Sequence, residues 1–332
     1  MKKGVFIIAA IVSLLLLGCG TESKRNMEGM ELLHITAMCS DSNGEKEMLC
    51  IVYDANEMKT LRSLRLPNHA IYPICIYDAD PDGVFLTNST KTENFDNLHY
   101  YIFESNAVEV IARGKYYFSD MIPLGENELL CNVASESATV SQPAIFNSKT
   151  KDIRYLDEHD DDTWFHSLSY NPDTQKILAV TCSDEEMRSE KVRNETWIRP
   201  KKLEFITPDF SKREVIFETE DYEIRSARQI NSNEILMAVD SCMGWDYSAR
   251  KLVCLNLSTK EVTDVEICGI KQIQSFYPSR DGTTLFVLGK DEKGITSVWS
   301  YDVVNKTLTD VLSDKDSYEG FEEVVDFVYT WR

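Results

Sequence analysis

Few residues in this chain can bend or break a backbone: 14 glycines and 9 prolines in 332 residues. That scarcity excludes a collagen-like or low-complexity protein. Basic side chains are also short in number, 35 against 55 acidic ones, for a formal charge of −20. Such a chain repels phosphate backbones and anionic bilayers, which excludes nucleic-acid binding and adhesion through a basic surface. Common catalytic patterns are missing too: no GxSxG elbow, HExxH, P-loop, GxGxxG or CxxC occurs. The five histidines, His34, His69, His99, His159 and His166, are scattered without a metal-ligand spacing. What the chain does have is 43% hydrophobic and 10% aromatic residues, enough for a substantial core. Its length allows two average domains or one large repeat architecture.

The N-terminus reads as a targeting segment. Lys2 and Lys3 precede an apolar run over residues 5–17 that is interrupted only by Ser13. Those 13 residues are too few to cross a bilayer core of about 30 Å as a helix. The run ends Leu16-Leu17-Gly18-Cys19, which resembles the lipobox of bacterial lipoproteins: a small residue before a cysteine that is acylated and becomes the mature N-terminus. The resemblance implies a signal peptide over 1–18, an acylated (palmitate-bearing) Cys19 with a polar tether to residue 30, and a domain over 31–332. Its acyl chains would hold that domain to the extracytoplasmic face of the cell membrane.

Eight further cysteines follow: Cys39, Cys50, Cys75, Cys131, Cys182, Cys242, Cys254 and Cys268. An even count in an exported protein invites disulfides, with Cys39/Cys50 and Cys242/Cys254 flanking hairpin loops as the pairs to consider. Irregular spacing and a domain too large to need staples favour buried free thiols.

Internal self-similarity decides the architecture. Segments 71–86 (IYPICIYDADPDGVFL), 118–133 (FSDMIPLGENELLCNV), 165–180 (FHSLSYNPDTQKILAV), 224–239 (IRSARQINSNEILMAV) and 273–288 (IQSFYPSRDGTTLFVL) align without a gap. Each opens on an apolar residue, has an apolar residue or Ala fourth, then a polar turn and a closing apolar run. The starts are 47, 47, 59 and 49 residues apart, and a sixth start is expected at Phe321. A second hairpin fills each period, as in 98–112, 255–265 and 298–312. Four strands per 45–50 residues, A to D, is the pattern of a β-propeller blade. Residues 31–66 hold three strands without an A strand, and 321–331 hold one. The C-terminal strand is therefore expected to complete the N-terminal blade, giving an all-β propeller of six four-stranded blades, with seven left open.

Turns such as Tyr277-Pro278-Ser279-Arg280-Asp281-Gly282 and Asn171-Pro172-Asp173 resemble the "SPDG" turn of TolB-like propellers, a module shared with prolyl-oligopeptidase-type peptidases. The resemblance covers nearly all of 31–332 and is structural. The peptidases carry an α/β-hydrolase domain beyond the propeller, and their catalytic activity is not implied here.

Two segments are candidate sites. Asp78-Ala79-Asp80-Pro81-Asp82-Gly83 matches the start of a calcium loop, since hard cations want several oxygens from one tight turn. It lacks the later acid such loops use, with Leu86 ninth and Ser89 twelfth, and it sits where a plain A–B turn is expected. Calcium is the one cofactor it could hold. The second is the acidic run 157–162, with Asp160, Asp161 and Asp162, on a D–A loop. Trp164 follows it, Trp197 lies in the long B–C loop of the same blade, and Trp245 and Tyr247 lie in the next B–C loop. D–A and B–C loops share one face, so acids and aromatics should gather on one rim, where they could stack sugars or hold cationic groups. A solvated loop with Trp residues packed between blades explains the same residues.

Two functions remain in view. One is a non-catalytic binding or scaffold module on the cell envelope for a peptide, glycan or protein partner. The other is a channel enzyme, a lyase, lactonase or glycosidase, which needs paired acids or metal ligands on the inner strands. Those strands offer mainly Ser119, Ser167, Ser226 and Ser275, which favours binding. A pair of carboxylates in the channel would revive the enzyme.

Overall fold

The computed structural model describes residues 29–79, 82–89, 95–125, 127–135, 140–157, 159–189, 198–199, 201–240 and 250–331. Strands β1 (Glu31–Ser40), β2 (Lys46–Asp54) and β3 (Lys59–Pro67) come first. Next are β4 (Cys75–Ala79), β5 (Asp82–Asn88), β6 (Asp96–Ile102), β7 (Ala107–Gly125), β8 (Glu128–Ser135), β9 (Gln142–Asn147) and β10 (Ile153–Tyr155). Two blades follow: β11 (Thr163–Asn171), β12 (Lys176–Ser183), β13 (Lys201–Ile206), β14 (Arg213–Thr219), then β15 (Glu223–Gln229), β16 (Glu234–Asp240), β17 (Lys251–Asn256), β18 (Val262–Val265). The last are β19 (Ile270–Pro278), β20 (Thr284–Asp291), β21 (Thr296–Asp302), β22 (Thr307–Asp310) and β23 (Phe321–Trp331).

These strands form six four-stranded antiparallel blades. Four are separate sheets, in the orders β23-β1-β2-β3, β11 to β14, β15 to β18 and β19 to β22. The other two share β7, whose 19 residues pair first with β6 and then with β8. One strand is thus the outer edge of blade 2 and the inner strand of blade 3. The sequence suggests two strands there, but a single glycine at position 114 is too little to break a run of β-forming residues.

Five of the hairpin turns share a construction. Asp54, Asn147, Asn171, Asn256 and Asp302 each accept two backbone N–H groups, two and three residues on. The residue four on (Met58, Lys151, Gln175, Lys260, Lys306) takes a left-handed φ between 51° and 65°. An Asx side chain that mimics the backbone thus closes each turn without glycine. Glycine in the left-handed region is kept for other turns, at Gly44, Gly282 and Gly294.

The ring closes as the repeat requires. β23 pairs with β1 from Glu31↔Trp331 to Cys39↔Phe321, inside blade 1. His34 is buried at this seam. Its Nδ1 accepts the Tyr77 backbone N–H at 2.9 Å and its Nε2 meets Thr330 Oγ1 at 2.8 Å, so one ring ties blade 1 to blade 2. Arg65 donates to the carbonyls of Ser40 and Glu319 at 2.9 and 2.8 Å. Gly320 enters β23 at φ +64°, and a Cβ there would lie 2.0 Å from the Ser40 carbonyl oxygen.

Two parts of the repeat alignment need correction. In blade 2, β4 begins only at Cys75, so residues 71–74 precede the strand they were aligned with. In blade 1 the register places the repeat at Val324, not Phe321. Each inner strand except β4 carries a bulge against its B strand: between Phe118 and Asp120, Phe165 and Ser167, Ile224 and Ser226, Ile273 and Ser275, and Val324 and Asp326. A bulge re-aims the side chain beside it.

The cysteines follow the core. Cys39 and Cys50 do not form a disulfide: they lie three positions apart in register, in different apolar clusters on opposite faces of the sheet. Cys75, Cys131 and Cys182 are also buried free thiols, Cys254 is half-buried and Cys268 exposed. Cys242 lies outside the described residues.

Candidate functional site at the central channel

The bulges set a ring of equivalent side chains around the axis: Asp120, Ser167, Ser226, Ser275 and Asp326. Two are carboxyls. Asp120 accepts the Leu168 backbone N–H at 3.3 Å. Both border the channel yet sit deep among protein atoms, and this burial pushes each up to about 7. The Asp326 charge adds to the rise at Asp120, while the Arg228 cation pulls both down.

Two positions beyond the ring on β15, Arg228 reaches across three blades. Nη1 donates to Ser167 Oγ at 3.1 Å and to the Ala227 carbonyl at 2.8 Å, and Nη2 donates to Tyr277 Oη at 3.1 Å. Its guanidinium carbon lies 4.3 Å from the Tyr277 ring centre, a cation–π contact. Burial raises the Tyr277 phenol to about 12.

Above Arg228 a cavity of about 570 Å³, counted to its open mouth, faces the A–B turns. Ile122, Leu178, Ile230 and Pro278 give it an apolar wall, and Ser169, Gln229, Tyr329 and Trp331 add polar edges. Across its mouth Arg280 holds Asp173 through two bonds, at 3.1 and 2.8 Å, joining the turns of blades 6 and 4.

The expected rim is on the opposite face. Its acids are already engaged: Asp160 accepts the N–H groups of Asp162 and Thr163 in its own loop at 3.0 and 2.8 Å, and Asp162 accepts the Ser183 hydroxyl and the Glu185 backbone N–H just after β12 at 3.1 and 2.8 Å. Burial raises the Asp160 carboxyl, but the Thr163 and Asp162 bonds and Arg213 outweigh it and hold the group low. Asp161 is exposed. Trp164 donates to Asp184 at 3.1 Å and stacks on His166, 6.2 Å between centroids. Trp197, Trp245 and Tyr247 lie outside the described residues, as do Asp80 and Cys19. Of the calcium triplet, Asp78 pairs with Gly83 inside the β4–β5 hairpin. Asp82 gives one oxygen to Arg62 and the other to Tyr77 Oη, both at 2.9 Å. Among the described residues no group of three His, Cys, Asp or Glu could hold a metal.

A second buried polar cluster lies between blades 4 and 5. His166 Nε2 meets Cys182 Sγ at 3.1 Å, and Lys201 Nζ lies 3.8 Å from the same sulfur and 4.0 Å from Glu223. Burial lowers Lys201 to about 7 and holds His166 well below its ordinary range. Glu223 also takes Arg199 and Arg225. Irregular spacing in sequence hid this cluster. Asp120 and Asp326 did leave a signal, because both fall third in the aligned repeat once Ser119 is read as second and the last start is moved to Val324.

No family model matches this chain, and no curated protein matches it in sequence. Solved structures resemble it in fold. TolB from Acinetobacter baumannii superposes with a TM-score of 0.55 at 11% identity, over 97% of this chain and 70% of that one. An oligogalacturonate lyase in complex with manganese gives 0.52 at 8% identity, over 85% and 73%. The β-propeller domain of the Trilobed protease from Pyrococcus furiosus gives 0.52 at 12%, over 85% and 82%. That domain is described by an open velcro topology, whereas β23 closes the ring here. The chain has a TolB-like six-bladed propeller fold, and at these identities the likeness extends to the fold alone.

Proposed function

We propose that this chain is a cell-envelope lipoprotein, anchored through Cys19, whose propeller is a non-catalytic binding or scaffold module for a peptide, glycan or protein partner. The partner docks at the channel mouth on the face of the A–B turns. The observation that carries this reading is the cavity over Arg228, walled by rigid strands of several blades and rimmed by turns. Pockets that mix an apolar wall with a few fixed polar groups are the usual form of a ligand site.

Crosslinking in the envelope with the tagged full chain tests it. A partner recovered with the parent and with Asp120→Asn, but lost with Arg228→Met at equal protein level, supports the reading. Equal recovery from all three contradicts it.

A propeller enzyme is the second reading, and the Asp120/Asp326 pair favours it. A carboxyl near pH 7 can give or take a proton at neutrality, which general acid–base chemistry needs. Turnover of an envelope oligosaccharide or lactone that both Asp→Asn changes abolish would move the assignment to it.

A further inference from the structure

Arg228 has an unusual set of partners. The residue is 6% exposed, and its three hydrogen bonds go to a serine, a backbone carbonyl and a tyrosine, all neutral. Among the described residues no carboxylate lies within ion-pairing distance of it. Asp120 and Asp326 act on it from farther off, and its Nε has no hydrogen-bond partner. Buried cations are as a rule paired, because the desolvation of an unpaired one costs several kcal/mol.

The cavity wall repeats the imbalance. Lys176, Arg228 and Arg280 line it against Asp173, an excess of positive charge in a chain whose formal charge is −20. Trp331, also in the wall, keeps its buried indole Nε1 without a partner. A cation with neutral partners and a second unpartnered N–H donor suit an anion with two acceptor oxygens. Beside them the wall is aliphatic, formed by Ile122, Leu178, Ile230 and Pro278. A uronic acid surrounds its carboxylate with hydroxyls, whereas the last residue of a peptide can carry an apolar side chain next to it.

We infer that the cavity captures the free C-terminal carboxylate of a peptide ending in an apolar residue, with Arg228 as the charge partner and the aliphatic wall as the side-chain pocket. Such capture of chain ends is a known mode of peptide recognition. The inference rests on the binding reading above and names its ligand.

Calorimetry on the full chain in detergent tests it, with acetyl-Ala-Ala-Leu as the free acid and as the C-terminal amide. The acid should bind at least about tenfold more tightly, the scale of one charge-assisted contact. Arg228→Gln should remove that preference and Arg228→Lys should keep part of it. Should Arg228→Gln fail to fold, Trp331→Phe serves instead, with an expected several-fold loss for the acid and little for the amide. Equal binding of acid and amide, or no binding of either at millimolar concentration, overturns the inference. So does a uronic acid trisaccharide that binds in place of the peptide. If the peptides fail while an envelope partner is still lost with Arg228→Met, the binding reading stands and this ligand falls.

Discussion

Single residues in this molecule are held against their solution preferences, and the channel carboxyls show it most clearly. Asp326 is raised by burial from 3.8 to about 7, so between those values folding takes up a proton. Its carboxyl therefore weakens the fold progressively as pH climbs through that window, and asparagine at the same place does not. Lys201, lowered by burial, pulls the parent's profile the other way, but it is common to both proteins and cancels in a comparison. The melting temperature of Asp326→Asn minus that of the parent should rise by about 2–4 °C between pH 4 and pH 8. A flat or falling difference would show that Asp326 ionises normally in the fold.

At the scale of strands, the propeller was legible in the sequence because blade hairpins repeat an apolar–turn–apolar pattern that survives change of every individual residue. The closing strand was legible for the same reason: blade 1 lacks an A strand and the chain ends on one. The bulges were not, since an extra residue in one strand leaves the hydrophobic pattern intact on either side. The inner ring read as serines because Ser119, second in its segment, was grouped with third-position serines, and because the last start was set at Phe321 instead of Val324. The fused strand β7 escaped notice because nothing in its sequence marks where one blade yields to the next. Closure itself should be essential, given that β23 contributes Phe327, Val328 and Tyr329 to the largest apolar cluster. Removing residues 321–332 should lower the melting temperature by more than about 10 °C or abolish cooperative unfolding, through loss of several buried side chains at once. A transition within a degree or two of the parent would refute closure by this strand.

For the whole molecule, the ring separates two faces with different characters. The D–A and B–C loops carry the acidic run, in which Asp160 orders its own turn and Asp162 ties that turn to the segment after β12. The A–B face carries the cavity and also the start of β1, where Glu31 meets Tyr329. A lipid on Cys19 would therefore tether the protein from the side of its cavity, within the reach of about ten extended residues, roughly 35 Å. Cys19→Ser should shift the protein from the membrane to the soluble fraction, and continued membrane association would show that Cys19 is not the anchor.

If the partner docks on the cavity face, hydrogen–deuterium exchange of the full chain with and without its crosslink-identified partner will show where it sits. Protection concentrated in 169–173, 228–231, 277–281 and 329–331 is the predicted result. Protection confined to 157–164 and 183–189 on the opposite face would contradict it.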